Sequence, residues 1–337
     1  MKSKAYAKIN LDLRVGEVIE NGLHEIVSIV APISLHDKIW VKLTNKPVNQ
    51  IISKTPWFKV DILGQFLTDF QTEFQLTKKV SLSIQKNIPL GAGLGGLSTV
   101  LATLLNCLSS LYKLDLTLMQ KADFIEKYGQ DCVYFLKPLP GVMLKTGSTV
   151  EYIGKCPFKY VHLKNFSEPF ETARMYQKVK PSEIDTEKVK ELIKLFNEGK
   201  THEFWASVQN DFDEVYKLTN PEEHAVYLAL KKACYKLQTT GSGSSVYTLD
   251  GNFEDKQIKY PAISYFKRYE FLNYQNIQFS KQPTFKKILY FLQKLIFVWN
   301  SPHFLRIGNG VFFIWCKQRI NHKSHTIHLT VFLKLPI

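Results

Sequence analysis

Along the first fifteen residues of the chain, apolar and polar positions alternate. The apolar positions are Ala5, Ala7, Ile9, Leu11, Leu13 and Val15, and the polar ones between them are Tyr6, Lys8, Asn10, Asp12 and Arg14. A period of two predicts a half-buried β-strand over residues 5–15, with a polar face that lines a site. The turn signal Asn21-Gly22 follows, and a second strand is predicted over His24–Ile33.

A helical spacing of apolar residues begins near residue 97. Its members are Leu97, Val100, Leu101, Leu104, Leu105, Leu108 and Leu111. They predict a buried helix that starts at about Ser98. Upstream, residues 80–84 alternate as a strand that Pro89 ends, so the order is strand, glycine-rich loop and helix. Further strands are predicted around 142–150, and further helices at roughly 185–198 and 221–237.

The loop between that strand and that helix holds four of the chain's seventeen glycines within six positions. Such a loop lets a ligand approach the backbone, and the helix behind it presents N–H groups and the positive end of its dipole to an anion. A polyphosphate suits this arrangement. The loop lacks both the ending of a Walker A motif and the Rossmann spacing, and a turn that merely packs a helix closely is the alternative interpretation.

Two further stretches place polar groups in small or apolar surroundings. Gln238–Tyr247 reads QTTGSGSSVY, a hydroxyl-rich turn before an apolar strand. Tyr128–Phe135 reads YGQDCVYF, and its Asp131 lies among mostly apolar residues. A carboxylate in such surroundings pairs with a cation or works as a base. The alternative interpretation of Gln238–Tyr247 is an ordinary turn, and that of Asp131 is a structural ion pair.

The order of these motifs resembles the GHMP small-molecule kinase superfamily. It runs from AKINL through P-x-x-A-G-L-G-G, G-x-D-x-x-x-F and N-D-F to T-G-S-G-S-S-V, over about residues 5–250. The stretches GLHE and ETARMY are most similar to the branch that phosphorylates the 2-hydroxyl of a cytidine-diphosphate ester of 2-C-methyl-D-erythritol, in non-mevalonate isoprenoid biosynthesis. The resemblance implies an α+β two-domain GHMP kinase fold, with a ribosomal protein S5 domain 2-like half over 1–152 and a ferredoxin-like half over 153–275.

The resemblance also implies an ATP site with Mg²⁺ in a cleft between the two halves. Lys8 and Asp131 match the pair at the transferring phosphoryl group, where Asp131 is expected to take the proton of the acceptor hydroxyl and Lys8 to stabilise negative charge. Ser98 is a candidate ligand of Mg²⁺. The stretch matched to the ATP phosphates consists of Pro89, Leu90, Gly91, Ala92, Gly93, Leu94, Gly95, Gly96, Leu97, Ser98 and Thr99.

Four residues are expected to contact the acceptor substrate. Asn10 lies on the same strand face as Lys8. His24 matches a histidine that meets the cytosine, and Tyr176 matches an aromatic residue that stacks on it. Thr172 matches a threonine beside the acceptor alcohol. A surface histidine and a core tyrosine are the alternative interpretations of His24 and Tyr176.

Three positions depart from the family's pattern. Leu97 stands where the family has a third glycine, Val100 where it has a polar residue, and Leu23 where it has an aromatic one. A side chain at Leu97 is tolerated only if its φ is negative and it faces away from the phosphates. The aliphatic Leu23 predicts weakened cytidine binding rather than lost chemistry. Another GHMP kinase with a different alcohol, or a nucleotide-binding protein without turnover, are the alternative functions.

Composition changes this picture at two points. The five cysteines form no C-x-x-C pair and have no metal-ligand spacing with histidine, which indicates reduced thiols and a cytoplasmic location. The net charge is +14, but thirteen of the 44 Lys and Arg and only three of the 30 Asp and Glu lie in residues 251–337. For the nearly neutral main body, the resemblance implies a small-molecule substrate that bears a cytidine diphosphate group, and we expect no nucleic acid, no membrane, and a monomer or homodimer.

Residues 276–337 lie beyond the resemblance. One helical apolar face is predicted from Phe285, Ile288, Leu289, Leu292, Leu295, Ile296 and Trp299. A basic amphipathic helix of this kind lies on an anionic membrane or binds a partner. The simpler alternative is a poorly ordered or accidental extension, and nucleic-acid binding is a third, weaker one because no known module is visible there.

Overall fold

The computed structural model describes residues 1–19, 22–56, 58, 60–167, 170–249 and 266–273, and the backbone of 303–307, 310–321 and 326–334. The chain divides into two compact units, Met1–Ser280 and Lys281–Ile337.

The first part of the larger unit is a six-stranded sheet with helices. Its strands are β1 (Lys2–Val18), β2 (His24–Thr44), β3 (Gln50–Ser53), β4 (Lys79–Gln85), β5 (Gly141–Leu144) and β6 (Thr149–Tyr152), and its helices are α1 (Asp61–Glu73), α2 (Gly96–Leu111), α3 (Leu118–Ile125) and α4 (Asp131–Phe135). The order is β3-β4-β2-β5-β6, with β1 paired to β2. The β3–β4 pair is parallel and the other pairs are antiparallel. Strand β2 organises this sheet, because it pairs with β1 over most of its length and with both β4 and β5.

The second part of the larger unit has a four-stranded antiparallel sheet in the order β10-β7-β9-β8. Its strands are β7 (Tyr160–Asn165), β8 (Gln238–Thr239), β9 (Ser245–Thr248) and β10 (Lys267–Glu270), and its helices are α5 (Thr172–Tyr176), α6 (Thr186–Glu198), α7 (Thr201–Ser207) and α8 (Pro221–Ala233). Side-chain caps define two of these helices: Asp185 accepts from Lys188 N at the start of α6, and Asn220 accepts from two N–H groups at the start of α8.

Two large apolar cores hold the unit together. One packs α1 and α2 against the first sheet, through residues such as Phe66, Phe70 and Leu105. The other joins Ile9 and Leu11 of β1 to α6, α7 and the second sheet. Strand β1 therefore lies at the junction of the two parts.

This position corrects the prediction that β1 is only half buried. Both of its faces are buried, and Lys8 and Asn10 are 3% and 2% exposed. The polar face is covered because segments of the second part pack on it: Gln209 N donates to Asp12 Oδ1 at 2.8 Å, and Asn10 N donates to Thr240 Oγ1 at 3.1 Å. Buried polar groups need such partners, and here they join distant parts of the chain.

Other elements differ from their predicted bounds. Strand β2 runs eleven residues beyond Ile33, α2 begins at Gly96 instead of about Ser98, and α8 ends at Ala233 because Cys234 is extended. Helix α1 was not predicted, although Leu63, Phe66, Leu67 and Phe70 have helical spacing and are buried.

In the smaller unit, an antiparallel sheet has the order β11-β12-β13, formed by His303–Ile307, Gly310–Asn321 and Thr326–Lys334. The amphipathic helix predicted over 285–299 lies outside the described residues. The boundary predicted near residue 152 stays a prediction. Within the described part of the chain, no helix has the length and apolar character needed to cross a membrane.

Candidate active site

The glycine-rich loop between β4 and α2 has backbone conformations and close contacts that only glycine can adopt at two positions. Gly93 and Gly95 have φ of +72° and +69°. A Cβ on Gly93 would lie 1.8 Å from Thr240 O, and one on Gly95 would lie 2.4 Å from the ring of Phe135. The loop is therefore held so close to its neighbours that alanine does not fit at either position.

A second loop, Thr240–Ser244, packs directly on the first. Ser244 N donates to Gly91 O at 3.1 Å. A Cβ on Gly243 would lie 1.9 Å from Gly93 N, so glycine is required on both sides of this contact. Asn210 fixes the start of the second loop, because its Nδ2 donates to Thr239 O at 2.9 Å and to Gly241 O at 3.1 Å. The two small-residue motifs of the sequence thus form one structure.

Lys8 and Asp131 meet beside these loops. Lys8 Nζ lies 3.6 Å from Asp131 Oδ2. Lys8 is buried, whereas the Asp131 side chain is 37% exposed. Asp131 is the first residue of α4, and Lys8 N donates to Leu94 O at 3.2 Å, which ties β1 to the glycine-rich loop. The ammonium group is thus held in place while the carboxylate remains accessible.

Asn10 sets the position of the Lys8 ammonium group. Its Oδ1 accepts from Lys8 Nζ, and its Nδ2 donates to Ser28 Oγ at 2.7 Å. Ser28 Oγ in turn donates to Asp12 O at 2.7 Å. Both ends of the Asn10 amide are therefore bonded within the protein.

These groups line a cavity of about 810 Å³. Of the residues predicted for the site, it is lined by Lys8, Asn10, His24, Asp131, Thr172, Tyr176 and the whole stretch from Pro89 to Ser98. Thr99 does not line it. Its side chain is 1% exposed inside α2, and its N–H donates to Gly95 O at 2.9 Å. The N–H of Thr99 is thus used within the helix.

The part of the cavity wall formed by α5 and the start of β2 is made of side chains. The rings of His24 and Tyr176 stack with centroids 5.5 Å apart and an interplanar angle of 25°. His24 Nδ1 lies 2.9 Å from Gly16 O, which requires the proton on Nδ1. Tyr176 also packs edge-on against Phe212, and burial raises the pKa of its hydroxyl well above the usual value. Leu23, 42% exposed, lines the same cavity.

Several cavity residues were not among the predicted ones. Gln130 precedes Asp131, and its Oε1 accepts from Thr146 Oγ1 at 2.6 Å. Ser242 Oγ donates to Thr172 Oγ1 at 3.2 Å. The sequence could have indicated Ser242, because it lies in the hydroxyl-rich motif, and Gln130, because it precedes Asp131. Nothing in the sequence around Thr146 marks it, since its β-turn reaches the cavity only through the pairing of β5 and β6.

Residues 61–136 match the GHMP kinases N terminal domain. A 4-diphosphocytidyl-2-C-methyl-D-erythritol kinase of Persephonella marina is 26% identical over 242 residues, which cover 72% of this chain and 88% of that protein. The kinase of the same name from Bacillus cereus strain AH187 is 27% identical over 250 residues, or 73% of this chain and 86% of its own. The chain is thus similar in sequence to GHMP kinases.

Solved structures of GHMP kinases have the same fold as this chain. A crystal structure of 4-(cytidine 5'-diphospho)-2C-methyl-D-erythritol kinase matches with a TM-score of 0.63 and 21% identity, over 81% of this chain and 99% of that one. A homoserine kinase from Cytophaga hutchinsonii matches with a TM-score of 0.60 and 13% identity, over 81% and 94%. The predicted α+β GHMP kinase fold is confirmed.

Two departures from the family's loop have a structural account. Leu97 lies in the first turn of α2 with a negative φ, and its side chain packs partly on the core beneath the first sheet. Val100 is completely buried in that same core. Leu97 also borders the cavity, but the glycines with positive φ lie before it, at Gly91, Gly93 and Gly95. A side chain at position 97 therefore does not require a left-handed backbone.

Cys132, beside Asp131, is a buried thiol with no reactive character. Burial raises its pKa to about 12, although Ser98 is its hydrogen-bond partner. Cys107, Cys156 and Cys234 of the larger unit are likewise buried.

Proposed function

We propose that this protein is a GHMP kinase that transfers the γ-phosphoryl group of ATP to the 2-hydroxyl of 4-diphosphocytidyl-2-C-methyl-D-erythritol. The observation that carries the proposal is the Lys8–Asp131 pair, 3.6 Å apart on the wall of a cavity that also contains the glycine-rich loop. The names of the sequence relatives support the choice of this acceptor over the alcohols of other GHMP kinases.

Pro89–Ser98 is the proposed phosphate site. The glycine-rich loop and the N-terminus of α2 place backbone N–H groups and the positive end of the helix dipole on the cavity wall. The second loop, which bonds to Gly91 O, keeps this backbone from moving. A preorganised site of this kind stabilises developing negative charge without reorganisation.

The proposed chemistry uses two side chains. The Asp131 carboxylate accepts the proton of the acceptor hydroxyl while that oxygen bonds to the γ-phosphorus and the bond to the ADP oxygen breaks. The Lys8 ammonium stabilises negative charge on the transferring group. Asn10 acts by orienting Lys8, as its hydrogen bond indicates.

The residues present fit a Mg²⁺ ion that arrives with the nucleotide. Within the described part of the chain there is no cluster of three metal-ligating His, Cys, Asp or Glu side chains. Mg²⁺ commonly keeps several waters and takes one or two protein oxygens beside the phosphates. Ser98, which lines the cavity, is the oxygen donor that would hold it, and the ion would neutralise phosphate charge.

His24, Tyr176 and Leu23 form the proposed cytosine site. The rings of His24 and Tyr176 already touch each other, so a base lies against the outer side of this pair and not between them. Leu23 borders the same cavity and adds an aliphatic contact for the base.

A coupled assay of ADP release tests the proposal. The purified chain with ATP, Mg²⁺ and the cytidyl substrate should release ADP, and an uncytidylated methylerythritol phosphate should give a much lower kcat/KM. In the matched variant Asp131→Asn, kcat should fall by about 10²- to 10⁴-fold, with ATP affinity and Tm nearly unchanged.

Three results would contradict parts of this proposal. Equal kcat/KM for the two acceptors argues for another GHMP kinase reaction. Stabilisation by ATP without ADP release under any acceptor argues for a nucleotide-binding protein without turnover. If the Asp131→Asn variant keeps nearly the full kcat, Asp131 is not the general base.

A further inference from the structure

A second lysine–carboxylate pair lies behind the glycine-rich loop, where the proposed chemistry does not use it. Lys86 and Asp37 form an ion pair whose side chains are both completely inaccessible to solvent. Neither residue lines the cavity. Lys86 directly follows β4, and Asp37 lies in the middle of β2.

This pair bonds to both ends of the loop. Asp37 Oδ1 accepts from Asn87 N at 2.6 Å and from Ile88 N at 2.9 Å, just before Pro89. Lys86 Nζ donates to Gly96 O at 2.9 Å, where the loop becomes helix α2. The start and the end of the loop are thereby fixed to the same strand of the sheet.

A buried ion pair of this kind is not expected to increase the free energy of unfolding. Removing two charges from water is costly, and replacing such a pair by apolar residues of similar volume often leaves stability unchanged or increases it. Here burial lowers the pKa of Lys86, which the Asp37 carboxylate opposes. Because the pair is neutral as a whole, its attraction for a distant phosphate is small, and its specific contribution is the set of bonds to the loop.

We propose that Lys86 and Asp37 are positioning residues that hold the glycine-rich loop open for the phosphates of ATP. This inference rests on the proposed function. The middle of the loop has its own attachments, Lys8 N to Leu94 O and Ser244 N to Gly91 O. The Lys86–Asp37 pair adds the two ends, so that the loop is already in its binding shape before ATP arrives.

The test is the double variant K86M/D37N. Methionine and asparagine conserve volume, and the asparagine oxygen still accepts from Asn87 N and Ile88 N, but the bond to Gly96 O is lost. We expect the Kd of Mg²⁺–ATP, measured by calorimetry, to rise at least tenfold. The KM of the acceptor should change less than twofold, since the pair is remote from that part of the cavity.

The buried pair Asp12–Arg14 provides the matched control. Its atoms approach within 2.8 Å, its side chains are 0% and 7% exposed, and its neighbour is Gln209 and not the loop. The double variant D12N/R14M should leave the Kd of Mg²⁺–ATP within twofold. If it raises this Kd as much as K86M/D37N does, the effect is general destabilisation and the inference is overturned.

Circular dichroism and Tm must show that each variant is folded. If K86M/D37N does not fold, the single variant Lys86→Met carries the same comparison, because it also removes the bond to Gly96 O, with an expected rise of several-fold. A folded variant with wild-type Kd overturns the inference and leaves the proposed function intact. If the unaltered protein does not bind Mg²⁺–ATP, the proposed function and this inference both fail.

Discussion

The cavity has two kinds of wall, and they are built by different means. The wall around Gly93 and Gly95 is backbone, fixed by glycines with positive φ and by contacts closer than any Cβ allows. The wall around His24 and Tyr176 is made of side chains that stack and remain partly exposed. No other residue can replace glycine where a Cβ has no room, whereas one side chain in a stacked wall can be replaced by another. Substitutions in the first wall should therefore abolish most activity, whereas substitutions in the second should change the binding of one substrate.

The strongest way to break this comparison is Gly93→Ala. The added Cβ meets Thr240 O at 1.8 Å, so the two loops must separate. We expect kcat/KM for ATP to fall more than 100-fold. Gly199→Ala is the control, because Gly199 has φ of +71° but nothing within 4 Å of its Cβ. It should cost only about 1–2 kcal/mol of left-handed strain and leave kcat/KM unchanged.

A change in the side-chain wall should have a smaller and more selective effect. Tyr176→Leu removes the ring that stacks on His24 but keeps an apolar side chain. Base–aromatic stacking is worth about 1–3 kcal/mol, so we expect the KM of the cytidyl substrate to rise roughly tenfold. The KM of ATP should stay within twofold. An equal rise in both Michaelis constants would show that the two walls are not independent.

The same wall should also be improvable. Leu23 is 42% exposed and borders the cavity, so a larger ring there meets little crowding. Leu23→Phe should lower the KM of the cytidyl substrate by about threefold, since exposed stacking is worth less than 1–3 kcal/mol. The uncytidylated acceptor serves as the control and should show no change. An unchanged KM for the cytidyl substrate would place the base elsewhere.

The smallest predicted effect concerns the support of the backbone wall. Asp213 Oδ1 accepts from Thr239 N at 2.8 Å and from Thr239 Oγ1 at 2.6 Å, just before the second loop. Burial raises the pKa of Asp213 from 3.8 to about 6, although these hydrogen bonds lower it. Between those two values the folded protein holds a proton that the unfolded chain has lost. The contribution of Asp213 to stability is therefore greatest below about pH 4 and is lost as the pH rises through 6.

Asp213→Asn tests this sign, because the asparagine oxygen keeps both hydrogen bonds and does not titrate. From pH 7 to pH 5, the Tm of the unaltered protein should rise relative to that of the variant. We expect about 1 kcal/mol, or roughly 2 °C. A constant difference across this range would mean that Asp213 titrates near its usual value.

The periodic elements and the motif residues were accessible to sequence reasoning. Strand β1, helix α2 and the loop between Pro89 and Gly96 follow from alternation, helical spacing and glycine density. The burial of both faces of β1 did not follow, because a period of two indicates two faces but not that Gln209 and Thr240 cover the polar one. The partnership of Asp131 with Lys8 was expected from the resemblance, while its geometry needed the fold.

The sequence by itself determined which residues have the chemistry for a site: glycines without side chains, one carboxylate among apolar residues and a lysine on an alternating strand. Only the tertiary structure decided how they meet, since Lys8, Gly93, Asp131 and Thr240 are far apart along the chain. It also showed that Thr99 turns inward and that Lys86 and Asp37 bond to both ends of the loop. The physical reason is that local periodicity reports which faces are apolar, whereas contacts between distant segments depend on how those faces pack together.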